Sequence, residues 1–348
     1  MSSGGLANAR LGHLRESMAA HVDRGAVPGV VTVVSRRGEI HVDAVGEATL
    51  EGEPMRDDTI FRISSMTKPV TAVAAMILVE ECRLRLDEPV DPWLPELADR
   101  RVVPSLDAPL DGTVAADRPI TTRDLLTSCM GFGLVMAMPG TYPIQVAAAD
   151  LDLGQGPPSP DVQPAPDEWM RRLGSLPLMF QPGERWVYDT PFDVLGVLVA
   201  RAAGQSLPEF LRERIFDPLG MRSAVARYDD AGTFIGSSYV FATLQDWCRF
   251  GLLALRDGTW DGDRLVPEGW IDWSRTPRSW DDDVIHGAQW WSWDLDETPF
   301  GAHGFEGQRI ICFPARDVIV VRLGKSGSEA ATPLNHHLAQ IAACFPEI

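Results

Sequence analysis

Two-residue alternation of apolar side chains occurs near both ends of this 348-residue chain, with helical spacing between, and few folds satisfy that distribution. Val30 to Val34 and Ile40 to Val45 read as strands joined at Arg36-Arg37-Gly38, a hairpin. Gln289 to Leu295, Arg309 to Phe313 and Val318 to Leu323 also read as strands, the last two turning at Pro314-Ala315-Arg316-Asp317. Helices are expected over Leu6 to Asp23, Ser65 to Cys82, Pro191 to Ala203, Leu207 to Phe216, Leu244 to Arg256 and Pro333 to Cys344. Residues Pro104 to Asp167 are rich in Pro, Gly and Asp and read as loop or lid. The economical fold class is α+β: an antiparallel sheet built from both ends of the chain and flanked by the terminal helices, with an inserted helical lobe. The sheet lobe would be discontinuous, residues 1–80 and 235–348, around a helical lobe of residues 81–234 within one catalytic unit. A cleft between the lobes is the place to look for a site.

Composition narrows the function. The formal charge is −18, from 49 acidic and 31 basic residues, which disfavours nucleic acid and anionic membranes as partners. The five cysteines, Cys82, Cys129, Cys248, Cys312 and Cys344, are scattered and form no Cys-x-x-Cys pair. Disulfide and zinc frameworks are therefore not expected, and free thiols suit a reducing cytoplasm. Met1 to Arg10 has no apolar signal-peptide core, and the longest apolar stretch, Pro69 to Val79, is too short for a bilayer. A cytoplasmic location follows as an expectation; the oligomeric state does not follow from the sequence. Of the basic residues only Lys68 and Lys325 are lysines. Arginine does not deprotonate in a protein whereas a buried lysine does, so either codon bias or chemistry kept these two.

The chain's only Ser-x-x-Lys is Ser65-Met66-Thr67-Lys68. At a helix start, residues three apart share a face, so the Ser65 hydroxyl and the Lys68 amine are within reach of one another. Pro69 is compatible with a first helical turn and not with an interior one. A serine hydroxyl needs a base before it attacks a carbonyl. A desolvated lysine, pushed below its ordinary value of about 10.4, would serve. On its own the pattern is better read as an N-cap serine and a surface lysine, but the apolar run Val73, Ala74, Met76, Ile77 and Val79 argues for burial. Tyr188, one of four tyrosines, follows Pro182-Gly183-Glu184 and precedes a helix; it reads as a core tyrosine or as a proton shuttle. Phe300-Gly301-Ala302-His303-Gly304-Phe305-Glu306-Gly307-Gln308 leads into a strand. Its glycines suit either a simple turn or a close backbone approach to a ligand.

In this order the three segments resemble the class C β-lactamase-like serine hydrolases, a group that includes family VIII carboxylesterases, penicillin-binding DD-peptidases and nylon-oligomer hydrolases. The likeness runs from about Leu11 to the end and includes Leu125-Leu126-Thr127, Asp217-Pro218-Leu219-Gly220-Met221 and Gly304-Phe305-Glu306-Gly307-Gln308. It implies a β-lactamase/transpeptidase-like fold, with Ser65 as nucleophile, Lys68 as its base and Tyr188 as proton relay. By the same resemblance the backbone N–H groups of Ser65 and Phe305 form an oxyanion hole, and His303 with Gly304 binds substrate where the third motif places Lys or His. Two departures matter. The family's Tyr-x-Asn is here Tyr188-Asp189-Thr190, and its Lys-Thr-Gly is His303-Gly304-Phe305. The first removes an amide that grips a lactam side chain and the second a fixed cation for a β-lactam carboxylate, so both disfavour efficient β-lactamase action and favour a neutral ester or amide. Lys325-Ser326-Gly327 looks closer to Lys-Thr-Gly but follows the last strand, whereas the third motif should open the strand facing Ser65 with one more strand to come.

No Gly-x-Ser-x-Gly, Walker, His-Glu-x-x-His or Gly-x-Gly-x-x-Gly motif occurs, and the adjacent His336-His337 make poor metal ligands. Neither metal nor cofactor is expected. Trp290, Trp291 and Trp293 suit packing, with one lining the cleft. The expected function is a serine hydrolase working through an acyl-enzyme, most simply a carboxylesterase on small esters. Rivals with the same chemistry are a β-lactamase, a D-amino-acid peptidase or an amide hydrolase; a rival of another class is a catalytically silent ligand-binding module. The partner is then a small-molecule ester or amide.

Overall fold

The computed structural model describes residues 6, 8–49, 52–153, 164–227, 235–276, 278, 286–292 and 299–327. Its centre is a six-stranded antiparallel sheet in the order Trp291–Ser292, Phe300–Gly304, Gln308–Phe313, Val318–Leu323, Gly29–Arg36 and Glu39–Gly46. The two ends of the chain meet where Val31 pairs with Leu323 and Arg36 with Val318. The N-terminal hairpin turns at Arg37 and Gly38, both at positive φ, in register Arg36 to Glu39.

Every residue of Gly29–Arg36 is buried, because both faces of the sheet are covered. Val30 and Val34 pack with Ile311, Phe313, Val318 and Val320 against Leu11, Leu14 and Met18 of the helix Asn8–Asp23. Val31 and Val33, with Ile310, Ile319 and Val321, join the larger core on the opposite face, which the helix Leu244–Leu255 covers. That helix is capped by Thr243, whose hydroxyl accepts the Asp246 N–H. The C-terminal helix expected over Pro333 to Cys344 lies outside the described residues, as do Cys344, Tyr228, Trp293 and His336-His337.

A three-stranded sheet, Ile60–Arg62, Val240–Thr243 and Val225–Ala226, joins this layer to the helices and feeds the chain into Ser65. The helix Thr67–Glu80 packs against Thr190–Ala203, which ends on a left-handed Gly204. Three sequence expectations are corrected. The segment 104–167 is not all loop: it contains helices at Thr122–Leu126 and Pro143–Asp150, and a third begins at Pro166. Leu207–Phe216 is α-helical only to Leu211 and widens to a π turn over Arg212–Phe216. Of Gln289 to Leu295 the described strand is Trp291–Ser292 alone. No helix among the described residues is long and apolar enough to cross a membrane.

Candidate active site

Ser65 sits in a 3-10 turn, Ser64–Met66, that runs directly into the helix Thr67–Glu80. Ser64 is buried at φ 51, a left-handed conformation that kinks the chain so that the next side chain faces outward. Lys68, in the first helical turn, is buried at 2% exposure, while Ser65 remains partly exposed. The Lys68 ammonium donates to Ser65 Oγ at 3.1 Å, to Asp189 Oδ1 at 2.7 Å and to the Ser237 carbonyl at 3.3 Å. Its nitrogen also lies 4.4 Å from the centre of the Tyr188 ring and 5.7 Å from that of Phe192. A buried ammonium needs such partners, because desolvation of an unpaired charge costs several kcal/mol.

The sign of its titration is opposite to the expected one. Burial pulls Lys68 down, but the charge of Asp189, then Tyr188, the Asp189 hydrogen bond and Asp193 together outweigh it, and Lys68 stands above the ordinary lysine value. It is an ammonium at neutral pH. Asp189 causes most of this, and its backbone is unusual. With φ 79 and ψ −79 it has the geometry of a γ turn, sparsely populated and costing about 1–3 kcal/mol. It stands at the N-cap of Thr190–Ala203 but makes no capping hydrogen bond, sending its carboxylate to Lys68 instead. One turn on, Asp193 Oδ1 accepts the Ser237 N–H at 2.9 Å, which anchors the residue whose carbonyl meets Lys68. Burial and the neighbouring Asp189 charge raise the Asp193 carboxyl above the usual carboxylate range.

Tyr188 is held by the segment 131–134. Its carbonyl accepts the Leu134 N–H at 2.8 Å, and a Cβ on Gly133 would lie 2.3 Å from that oxygen. Its ring stacks on Trp186 at 5.4 Å. Trp186 meets His286 and Trp291 edge-on, and Trp291 stacks flat on His303 at 5.1 Å. Burial, then the charges of Arg309 and His286, hold His303 well below its ordinary value, so it is neutral at pH 7. Arg309, directly across the ladder from His303, is itself depressed to about 10 by burial, with Tyr188 opposing.

His303 and Gly304 end the strand Phe300–Gly304 rather than opening one, and two strands follow, not one. The reason is packing. A Cβ on Gly304 would lie 2.4 Å from the Ile63 carbonyl, so only glycine lets this strand end lie against the Ser65 turn. Phe305 comes next and is 60% exposed. Arg322, fully buried, clamps the turn from behind by donating to the Glu306 and Gly307 carbonyls and to Ser326 Oγ. Lys325 is 63% exposed and 3.9 Å from Glu306, away from the Ser65–Lys68 pair.

The structure thus gathers Ser65, Lys68 and Tyr188, and brings His303 and Gly304 to their edge. Sequence reasoning gave Asp189 no role, as the variable middle residue of a Tyr-x-Asn whose Asn is here Thr190, and it missed Asp193, Trp186, His286, Arg309 and Arg322. An acid in the otherwise apolar run Pro191 to Ala200 was the one signal available for Asp193.

A hydroxyl beside a buried ammonium and a phenol, at the seam between a sheet and a helical layer, defines a serine hydrolase of the β-lactamase-like type. The sequence model of the β-lactamase family matches residues 14–343, and the chain belongs to that family. Among curated relatives, Protein Rv1367c of Mycobacterium tuberculosis is 36% identical over 304 residues, 77% of this chain and 73% of that one. Esterase EstB of Burkholderia gladioli is 39% identical over 198 residues, 56% of this chain and 46% of its own. Among solved structures, EstCE1, described as a hydrolase with promiscuous acyltransferase activity, superposes with a TM-score of 0.80 at 20% identity, covering 97% of this chain and 99% of its own.

Proposed function

We propose that this protein is a carboxylesterase that transfers the acyl group of small, neutral esters to Ser65 and then to water. The observation that carries the reading is the contact of Lys68 with Ser65 Oγ at 3.1 Å and with the Tyr188 ring at 4.4 Å. In it Ser65 is the nucleophile and Lys68 handles its proton. Tyr188 relays the proton to the leaving alkoxide and activates the deacylating water. The N–H groups of Ser65 and Phe305 hold the oxyanion, helped by the N-terminus of Thr67–Glu80. His303 and Gly304 form the wall beside the ester. A neutral His303 stacked on Trp291 offers no fixed cation for a substrate carboxylate, which favours neutral esters over β-lactams. The name of EstB supports the same choice. A reducing, cytoplasmic setting fits the free thiols Cys82, Cys129, Cys248 and Cys312.

The test is turnover of p-nitrophenyl butyrate against nitrocefin, with fluorophosphonate labelling of the nucleophile. Faster butyrate turnover, with label on Ser65 and none on Ser65→Ala, is expected. Faster nitrocefin turnover would reverse the substrate preference, and an unlabelled wild type would make the protein a silent binding module. A second reading, transfer of the acyl group to an alcohol, draws on the description of EstCE1 and on exposed Met136 and Met138, in the segment that leaves the Tyr188 carbonyl at Leu134. Added alcohol would then raise p-nitrophenol release and yield a new ester.

A further inference from the structure

A lysine held as an ammonium has no lone pair with which to take a proton from Ser65, so the carboxylate beside it acquires a chemical role. We infer that Asp189 is the proton acceptor behind Lys68: Ser65 is activated by a two-proton relay that ends on the Asp189 carboxylate. This rests on the acyl-enzyme reading above and deepens it. Asp189 acts through Lys68 and is in that sense a positioning residue rather than one that touches substrate.

Three observations converge. The Lys68 nitrogen bridges Ser65 Oγ at 3.1 Å and Asp189 Oδ1 at 2.7 Å, so donor, carrier and acceptor are already in a row. Asp189 occupies a strained γ-turn backbone and makes no capping hydrogen bond to its own helix, although a free N-cap is where an aspartate is most at home. A carboxylate in that costly position, turned toward a buried amine, is accounted for by its contact with that amine. Finally, Asp193 is bound to the Ser237 N–H, which leaves Asp189 as the carboxylate in direct contact with Lys68.

The relay balances. Ser65 Oγ forms a bond to the ester carbonyl carbon, whose π pair moves onto oxygen. The Ser65 proton passes to Lys68 as Lys68 gives one of its own to Asp189 Oδ1. Lysine ends as it began, an ammonium, and the carboxylate ends as a carboxylic acid. When the tetrahedral adduct collapses, the proton returns through Lys68, with Tyr188 completing the path, to the departing alkoxide, which leaves as the alcohol. The charged or titratable neighbours of this path are Tyr188 beside it, Asp193 on the following helix, His286 across the aromatic cluster, and Arg309 on the adjacent strand facing Tyr188.

Asp189→Asn tests the relay, because asparagine keeps a hydrogen bond to Lys68 and accepts no proton. At pH 7, kcat/KM for p-nitrophenyl butyrate and the rate of fluorophosphonate labelling should both fall at least ~10²-fold, the scale of a lost acid–base group. Both should then climb about tenfold per pH unit toward pH 10, as Lys68 comes to deprotonate unaided. That alkaline rescue is what a merely structural role would not produce. Asp189→Asn labelled as fast as wild type at pH 7 overturns the relay, and so does a loss that stays flat from pH 7 to 10. A wild type that takes no label at Ser65 overturns the functional reading and the relay with it.

Discussion

His286 links the aromatic cluster to the stability of the whole chain. It is 2% exposed, and the Trp186 indole N–H donates to its Nδ1 at 3.3 Å. That bond needs a ring lone pair, which puts the proton of the neutral imidazole on Nε2. Burial, with the Lys68 charge assisting and a backbone hydrogen bond at Gly287 opposing, depresses His286 from 6.5 to about 4. Between those values the unfolded chain binds a proton that the folded chain refuses, so stability rises with pH there. The contribution is complete above pH 6.5 and disappears as pH falls toward 4. A gap of this size corresponds to about 3 kcal/mol, a large share of a typical ~5–15 kcal/mol of folding stability. Urea unfolding of wild type and His286→Gln at pH 7.5, 6, 5 and 4 measures it. Glutamine accepts the indole hydrogen bond and does not titrate, and the carboxylates act equally on both proteins. Wild type should lose about 3 kcal/mol more than the variant across the interval. Parallel stability curves for the two proteins would refute the reasoning.

Gly304→Ala should force the strand end off the Ile63 carbonyl, destabilising the fold by about 1–3 kcal/mol. Because that shift moves the Phe305 N–H, kcat for p-nitrophenyl butyrate should drop roughly 10²-fold or more, read alongside the melting temperature. Arg322→Met strips the buried Gly307 carbonyl of its donor, at about 1–3 kcal/mol, while the Glu306 carbonyl keeps the Ser326 N–H. Denaturant midpoints should show the loss; a neutral variant would mean the turn holds itself. Lys68→Arg keeps the charge but cannot release a proton, so esterase activity should fall about 10²–10⁴-fold, whereas Lys325→Arg, at an exposed position, should behave as wild type in the same assay.

The legible parts of this chain are those where side-chain pattern and backbone agree. The hairpin at Arg37-Gly38 and the strands Arg309 to Phe313 and Val318 to Leu323 repeat every two residues because one face of each meets a different core from the other. Phe300–Gly304 reads from the sequence as a turn or a ligand approach at the opening of a strand, not as a strand itself: Gly301, Ala302 and Gly304 have little strand propensity, and its register comes from pairing with Gln308–Phe313 and from contact with Ile63. The short helix Pro143–Asp150 was hidden by surrounding Pro and Gly, although Pro143 in its first turn is itself a start signal. Ser65 and Lys68 were visible because three residues of spacing at a helix start place them together. Their electrostatics were not, because the controlling partner lies 121 residues away.

That distance explains why the sign for Lys68 came out reversed. Burial alone argues for a lysine stripped of its proton, and local sequence offers nothing else to weigh. The fold adds Asp189 in contact, Tyr188 beside it and Asp193 one turn behind, and together they overcome the desolvation of one amine. If the pair served only to neutralise a buried charge, arginine would serve as well, with a fork that matches a carboxylate better than an ammonium does. This chain uses arginine at nearly every basic position, including the fully buried Arg322. What lysine offers and arginine lacks is a proton that leaves and returns. A buried lysine in direct contact with both a serine hydroxyl and an aspartate is therefore better explained by proton traffic than by charge balance.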